Sequence, residues 1–262
     1  MSQAFAESLS THTRQASKGR ATRLSERLNR SAHWARAELL TLARPAPAEA
    51  PRPKSSLVLT SAALTASAAG IALLSGVALR PLPNRVDIAA TRLLQRRHSR
   101  AVTRAMLLIS APGFAPLQHV LTVGTAIDMW ALGCRREALA TMLTMGTGAI
   151  TGVIKIAVGR PRPDPTYMRA VFQFRDNSFP SGHCAHYASF YGFMFYLAHR
   201  CMKPSPLRTA IMAACTGIVT LVAPSRVYLG HHWSSDVIAG ELVGLTYLFA
   251  LIKAYEEIGV SL

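Results

Sequence analysis

Apolar runs of membrane-spanning length, separated by short polar segments rich in arginine, recur along this sequence of 262 residues. Runs of about 20 residues with almost no charge are typical of helices that cross a bilayer. The pattern therefore predicts an all-α fold, a polytopic membrane helix bundle of about six transmembrane helices. We place the spans at about residues 56–79, 106–133, 138–158, 183–199, 209–223 and 237–255.

Two segments near the first spans depart from a simple crossing helix. Pro112 and Pro116 lie near the start of the second span and predict a kink or a break, because proline removes a helical hydrogen bond. Residues 84–100 mix apolar positions with many arginines. That mixture is typical of a helix in the membrane interface, so we expect an amphipathic interfacial helix between spans one and two.

Residues 1–55 differ in composition from the rest of the chain. They are polar, rich in arginine and without the apolar core of a signal peptide, and they include a Pro/Ala-rich linker over residues 44–53. Leucines at helical spacing favour an amphipathic helix, whereas the polar composition favours a partly disordered tail, and both interpretations stay open. We therefore divide the chain into a basic cytoplasmic extension, residues 1–55, and a six-helix membrane domain, residues 56–262.

The formal net charge of +16 comes mostly from arginines outside the apolar runs. This charge suits the anionic headgroups of a bilayer. It does not indicate nucleic-acid binding, because no recognition motif or aromatic platform accompanies it. The four cysteines show no CxxC or metal-ligand spacing, so we expect no structural disulfide.

Three cations stand at the ends of predicted spans or close to them: Lys155, Arg162 and Arg226. Arginine presents a planar fork of donors that matches two phosphate oxygens, and lysine adds a compact point charge. The sequence places no carboxylate that obviously neutralises all of them. Ionisable residues so close to a bilayer are costly to place there, so the cluster favours a functional site that binds an anion.

Two histidines accompany these cations. Ser181 and Gly182 predict a tight turn whose hydroxyl and backbone N–H can donate to an oxyanion, and His183 follows as a candidate general acid. His232 lies four residues before Asp236. If that stretch is helical, the two side chains share a face and the carboxylate can hold the imidazole in one tautomer. This arrangement predicts a histidine nucleophile with an orienting aspartate.

These residues fall into three motif blocks. In chain order the blocks are Lys155 with Arg162-Pro163, then Pro180-Ser181-Gly182-His183, then Ser225-Arg226 with His232 and Asp236. In residue type, spacing and order they resemble the type 2 phosphatidic acid phosphatase superfamily, which also includes vanadium haloperoxidases and bacterial acid phosphatases. The resemblance covers roughly residues 56–255 once the hydrophobic pattern is included.

The resemblance implies phosphoryl transfer without a metal ion or other cofactor. By analogy, His232 attacks phosphorus and becomes a phosphohistidine, while Asp236 orients it. His183 protonates the leaving oxygen and then activates the water that hydrolyses the intermediate. The resemblance assigns stabilisation of the equatorial phosphate oxygens to Lys155, Arg162, Ser181, Gly182 and Arg226, in keeping with a reaction that mainly requires positioning and charge stabilisation.

The predicted topology brings all three blocks to one membrane face, because spans three and five end at the motifs and spans four and six begin there. Arginines at residues 135–136 and 200–208 and in the N-terminal extension favour the cytoplasmic side. The site would then face outward from a bacterial inner membrane, towards the periplasm in a Gram-negative cell. The arginines between spans one and two oppose this orientation.

The chain is therefore predicted to be an integral membrane lipid phosphatase acting on a phosphomonoester or pyrophosphate. Substrates implied by the resemblance are undecaprenyl pyrophosphate, phosphatidylglycerol phosphate, phosphatidic acid and lipid A phosphates, among which the sequence does not select. Two alternatives stay open, a lipid phosphotransferase of the same superfamily and a non-catalytic lipid-binding membrane protein. The sequence indicates the bilayer and a lipid phosphate as partners and no particular oligomeric state.

Overall fold

The structure is a computed structural model that describes residues 65, 68–79, 85–172 and 174–260. The extension predicted over residues 1–55 and the start of the first predicted span lie outside these residues. The described chain is helical and contains no strand, which confirms the all-α class. The helices are α1 (Ala68–Ala78), α2 (Arg85–Gln95), α3 (Arg100–Ser110), α4 (Leu117–Ala131), α5 (Arg135–Leu143), α6 (Gly146–Val158), α7 (Gly182–Cys201), α8 (Pro206–Tyr228) and α9 (Ser234–Val260), with a 3-10 turn (Ala111–Gly113) between α3 and α4.

Within the described ranges, three helical segments are long and apolar enough to cross a membrane. They are Arg135–Val158, which combines α5 and α6, Pro206–Tyr228 (α8) and Ser234–Glu257 in α9. The segments Arg100–Gly113 and Leu117–Ala131 add a fourth if they form one broken span. Their axes differ by 54°, consistent with the break that the prolines predict. The count of six spans stays a prediction.

The helix α7 lies at the centre of the bundle and packs most extensively on α8 and α9. Two glycines of α9 allow this close approach. A Cβ atom on Gly240 would lie 2.4 Å from the carbonyl oxygen of Ser181, and one on Gly244 would lie 2.4 Å from that of Ala185. This GxxxG spacing is typical of tightly packed membrane helices. It holds the beginning of α9 against the beginning of α7, where the predicted site residues lie.

The helix α2 is present where the sequence predicts an interfacial helix between spans one and two. Its arginines are exposed, but Asp87 and Thr91 are buried against the bundle. The helix contacts α8 and α9. The amphipathic pattern predicts a helix at this position, whereas its attachment to the bundle through a buried carboxylate is a structural finding that the pattern does not predict.

Both helices that flank the last motif are longer than predicted. The helix α8 continues through Pro224 to Tyr228, and α9 begins at Ser234. Arg226 therefore lies in the last turn of α8, and Asp236 in the first turn of α9. Gly230 turns the chain between the two helices with a φ of 72°, a left-handed conformation that glycine adopts without steric cost.

Candidate active site

Four helix ends bring the predicted site residues to one end of the bundle. Lys155 lies in the last turn of α6, and Arg226 in that of α8. Ser181 is the N-cap residue of α7, where its hydroxyl accepts from the N–H of Cys184. The backbone N–H of Ser181 donates to the carbonyl oxygen of Asp236 at 2.9 Å, which links the beginnings of α7 and α9. The structure thus places all three motif blocks on the same side, as the topology predicted.

The predicted histidine–aspartate pair is in contact and buried. Nδ1 of His232 lies 3.5 Å from Oδ2 of Asp236. The stretch between them is not a continuous helix, so the condition under which the two side chains would share a helix face is not met, because α9 begins only at Ser234. Instead, Oδ2 of Asp236 accepts from the backbone N–H of Trp233 at 2.9 Å, which folds the preceding turn back over the carboxylate. Nε2 of His232 lies 3.3 Å from Nη1 of Arg162.

A buried arginine that the motif pattern does not single out, Arg160, holds Asp236 from the other side. Its Nη1 donates to Oδ1 of Asp236 at 2.6 Å and to the hydroxyl of Ser235 at 2.7 Å. Its Nη2 donates to Oδ2 of Asp87 at 2.8 Å. The Arg160 side chain is only 4% exposed. The available sequence signal was a second cation within residues 159–163, together with one aspartate in the helix predicted over residues 84–100.

Asp87 connects α2 to the beginning of α9. Its carboxylate accepts from the hydroxyl of Ser234 at 2.6 Å and from the backbone N–H and hydroxyl of Ser235 at 2.8 and 2.9 Å. Burial alone would raise the pKa of Asp87, but hydrogen bonds from Ser234, Arg160 and Ser235 lower it below its ordinary value. An ionised carboxylate at the N-terminus of a helix is favourable. The interfacial helix is therefore part of the support of the site.

The other two cations of the first motif region contact an aspartate. Asp176 accepts from Nε and Nη2 of Arg162 at 3.0 and 2.9 Å and lies 3.4 Å from Nζ of Lys155. Lys155 also donates to the carbonyl oxygen of Asn177. The sequence places no carboxylate that obviously neutralises all three cations, and in the structure Asp176 pairs with two of them, Arg162 and Lys155. Burial would raise the pKa of Asp176, but hydrogen bonding to Arg162 and its charge lower it.

The break between α3 and α4 forms the wall beside His183. Phe114 contacts the His183 ring edge-on, with centroids 4.6 Å apart, and the guanidinium of Arg226 lies 4.9 Å from the Phe114 centroid. Nη1 of Arg226 donates to the hydroxyl of Ser110 at 2.6 Å. A Cβ on Gly113 would lie 2.4 Å from Cδ2 of His183. The motif pattern gives no role to these wall residues. The sequence feature that marks this region is the break predicted at Pro112-Gly113.

Five buried nitrogen atoms in the site have no hydrogen-bond partner among the residues that the structure describes. They are Nε2 of His183, Nε of Arg226, both ring nitrogens of His231, and Nδ1 of His232, whose 3.5 Å approach to Asp236 is an ion-pair distance without a hydrogen bond. Buried polar atoms without a hydrogen-bond partner are uncommon in folded proteins and require an explanation. Binding of a substrate is one such explanation. A ligand with phosphate or ester oxygens would supply acceptors for the arginine and for a protonated histidine.

A cleft of about 390 Å³ leads from the surface to this region. Arg162 and His231 line it together with Asp176, Phe172 and Phe174. Burial, followed by the charges of Arg226 and Arg162, lowers the pKa of His231 to about 3. The same causes, with Lys155 added, lower the pKa of His232 well below its ordinary value. Both imidazoles are thus neutral at physiological pH, and a neutral imidazole can act as a nucleophile.

The site is rich in cations and histidines rather than in metal ligands. Among the described residues, no group of three or more His, Cys, Asp or Glu side chains is arranged to hold a metal ion. This arrangement can bind an oxyanion beside the neutral imidazole of His232, whose Nδ1 faces the carboxylate of Asp236. That combination suits nucleophilic attack on a phosphate ester.

Comparisons with known proteins agree with this chemistry. A family model described as PAP2 superfamily matches residues 137–259, a region that contains all three motif blocks. Phosphatidylglycerophosphatase B of Bacillus subtilis is 33% identical over 125 residues, which cover 46% of this chain and 59% of that protein. A lipid A 1-phosphatase of Rhizobium etli is 29% identical over 121 residues, which cover 44% of this chain and 48% of the relative. The chain thus spans about half the length of these relatives.

The fold has a counterpart among solved structures. The crystal structure of a transmembrane PAP2 type phosphatidylglycerolphosphate phosphatase from Bacillus subtilis superposes with a TM-score of 0.66. The match covers 74% of this chain and 96% of that chain, at 23% sequence identity. At this identity the likeness supports the fold alone, and it agrees with a helical bundle that resides in a membrane.

Proposed function

Because this chain belongs to the PAP2 superfamily and is an integral membrane protein, we propose that it is a lipid phosphatase. It hydrolyses a phosphomonoester or pyrophosphate of a lipid through a phosphohistidine intermediate, without a metal ion. The observation that carries the proposal is the position of His232. Its Nδ1 lies 3.5 Å from Asp236 and its Nε2 lies 3.3 Å from Arg162, so one nitrogen faces an orienting carboxylate and the other faces an anion-binding group.

In the proposed first step, Nε2 of His232 attacks phosphorus. A P–N bond forms, the P–O bond to the lipid oxygen breaks, and His183 gives its proton to the departing oxygen. Positive charge that develops on the His232 ring is stabilised by Asp236 across the 3.5 Å contact. In the second step a water molecule attacks phosphorus, His183 accepts its proton, and the P–N bond breaks to release phosphate and neutral His232.

The charge of the transferred phosphoryl group requires donors around its equatorial oxygens. We assign these to Lys155, Arg162 and Arg226 and to the beginning of α7 at Ser181 and Gly182. The first backbone N–H groups of a helix point outward and carry a partial positive charge that favours anions. The buried and unsatisfied Nε of Arg226 supports this assignment.

A lipid substrate fits the surroundings of the cleft better than a soluble phosphate ester. Apolar helices suited to a bilayer end at the site, and Phe172 on the cleft wall is 55% exposed. A lipid can therefore keep its tails in the membrane while its headgroup enters the cleft. The names of the relatives direct attention to phosphatidylglycerol phosphate and lipid A, and the superfamily adds undecaprenyl pyrophosphate and phosphatidic acid. We further propose an outward-facing site in a bacterial inner membrane, from the distribution of arginines.

The decisive experiment measures phosphate release by the purified protein from these four lipids. We expect one of them to be hydrolysed in the presence of a chelator and the reaction to be inhibited by vanadate. His232→Ala should lower kcat by about 10⁴-fold or more, and His183→Ala by about 10²- to 10⁴-fold. Absence of release from every lipid, or equal activity in the His232→Ala protein, would refute the proposal. Product analysis with an added acceptor lipid separates hydrolysis from phosphotransfer.

A further inference from the structure

A second cavity, shallow and open to solvent, lies beside the cleft that Arg162 and His231 line (the catalytic cleft of the proposed function), and cationic side chains line it. It measures about 620 Å³. Arg92, Arg96 and His98 line it from α2 and the residues that follow, and Arg169 lines it from the segment between α6 and α7. We call it the basic cavity. None of these residues belongs to the three motif blocks, and the proposed reaction does not use them.

The basic cavity is built by specific hydrogen bonds rather than by a chance approach of two surfaces. Nε2 of Gln95 donates to the carbonyl oxygens of Arg169 and Tyr228, each at 2.8 Å. The backbone N–H of Arg169 donates back to Oε1 of Gln95 at 3.0 Å. The side-chain amide of Gln95 therefore connects α2 to the segment around Arg169 and to the end of α8. The cavity walls hold their relative position without a ligand.

The charge of the basic cavity is not compensated within the described part of the chain. No aspartate or glutamate is among the described residues that line it. The structure shows no ion pair between Arg92, Arg96 or Arg169 and a described acidic residue. Arginines collected in one concave site without a carboxylate bind phosphate groups well, because the guanidinium fork matches two phosphate oxygens.

A single segment separates the basic cavity from the catalytic cleft. Pro165 and Ala170 line both. The segment lies directly on Gly230, where a Cβ would come within 2.3 Å of the carbonyl oxygen of Arg169. Gly230 immediately precedes His231 and His232 in the sequence. The two sites are therefore neighbours, divided by the segment around residues 165–170.

We propose that the basic cavity is a second anion subsite, which binds a phosphate group of a lipid headgroup while the catalytic cleft holds the phosphate to be cleaved. The inference rests on the proposed function for the identity of the ligand as a lipid. The second phosphate has two possible sources with the same chemistry. It belongs either to the same substrate molecule or to an anionic phospholipid beside it in the membrane surface.

The test measures binding without turnover, using the full chain carrying His232→Ala in neutral detergent. Calorimetric titration gives the Kd of three dioctanoyl lipids: phosphatidic acid, phosphatidylglycerol phosphate and phosphatidylglycerol. Each is measured without and with Arg96→Gln or Arg169→Gln. The matched control is Arg97→Gln, which makes the same charge change at an exposed neighbouring residue that does not line the cavity. Arg96→Lys tests whether charge alone is sufficient.

We expect Arg96→Gln and Arg169→Gln each to weaken binding by about three- to tenfold, while Arg97→Gln has a clearly smaller effect. Weakening confined to phosphatidylglycerol phosphate assigns the second phosphate to the substrate molecule itself. Weakening of phosphatidylglycerol binding assigns it to a neighbouring lipid. If every Kd changes only as much as in Arg97→Gln, the subsite does not exist. Failure of the proposed function would show separately, as an absence of phosphate release by the protein without His232→Ala.

Discussion

Arg160 and Arg162 lie two residues apart, yet they serve different halves of the site. The inner half is Arg160 with Asp87 and Asp236, whose side chains are at most 4% exposed. The outer half is Arg162 and Lys155 with Asp176, whose side chain is 56% exposed. Residue type alone therefore does not define a phosphate binder. Burial between two carboxylates makes Arg160 a structural support, whereas an exposed partner leaves Arg162 able to exchange Asp176 for a substrate.

The largest expected difference between the halves concerns stability. Arg160→Gln leaves two buried carboxylates without their cation, and we expect it to lower the free energy of unfolding by about 3–5 kcal/mol. Arg162→Gln breaks a pair with an exposed aspartate and should cost about 1 kcal/mol or less. The measurement is unfolding in mixed detergent micelles. Equal losses in the two variants would contradict the division into halves.

A conservative variant separates a positioning role of Arg160 from a purely structural one. Arg160→Lys keeps the charge but cannot reach Asp87, Asp236 and Ser235 at once, since it lacks the fork. We expect it to fold and to lower kcat more than it changes KM, because Asp236 then orients His232 less well. An unchanged kcat in the folded variant would show that Arg160 acts on stability alone.

The two halves also differ in how far the sequence reveals them. The all-α class, a helix between the first two predicted spans and the break near Pro112 follow from hydrophobic periodicity and proline chemistry, and the structure confirms them. The interfacial location of that helix stays a prediction. The outer cations follow from motif spacing, although their catalytic roles stay proposals. The inner half cannot be predicted from the sequence, because its contacts join segments that are distant along the chain. The backbone N–H of Ser235, for example, donates to Asp87, which lies 148 residues earlier. Local pattern carries no information about such a pairing.

The third element of the site, His183, belongs to neither half and is positioned by packing. A Cβ at Gly113 would lie 2.4 Å from Cδ2 of His183 and 2.8 Å from Cε2 of Tyr187. Gly113→Ala should therefore displace the imidazole and lower kcat by about 10- to 100-fold, as small misplacements of a catalytic group do. Gly124→Ala is the control, since nothing lies within 4 Å of its added methyl group. A Gly113→Ala enzyme with normal kcat would exclude packing as the positioning device.

A pH profile tests how the outer cations act on His232, the proposed nucleophile. Burial and then the charges of Arg226, Arg162 and Lys155 lower the pKa of His232 below the ordinary value of 6.5, so protonation removes the nucleophile only at a lower pH. We expect the acid limb of kcat/KM to lie below pH 6.5. Arg162→Gln removes one of these charges and should move the limb upward. The same substrate is used for both proteins, so its own titration cancels. A limb that does not move would mean that Arg162 has no electrostatic effect on His232.

The smallest expected effect concerns the exposed aspartate of the outer half. Asp176 pairs with the same groups of Arg162 and Lys155 that we assign to the phosphate, so the carboxylate competes with the substrate. Asp176→Asn should lower KM, and the Ki of inorganic phosphate, by about threefold, because an exposed ion pair contributes little. Asp164→Asn is the matched control. That residue also lines the cleft, but its carboxylate accepts from the N–H of Thr166 and not from either cation. A KM that rises in Asp176→Asn and not in Asp164→Asn would contradict this competition. Asp176 would then position Arg162 for the substrate, and the outer half would be as fixed as the inner half.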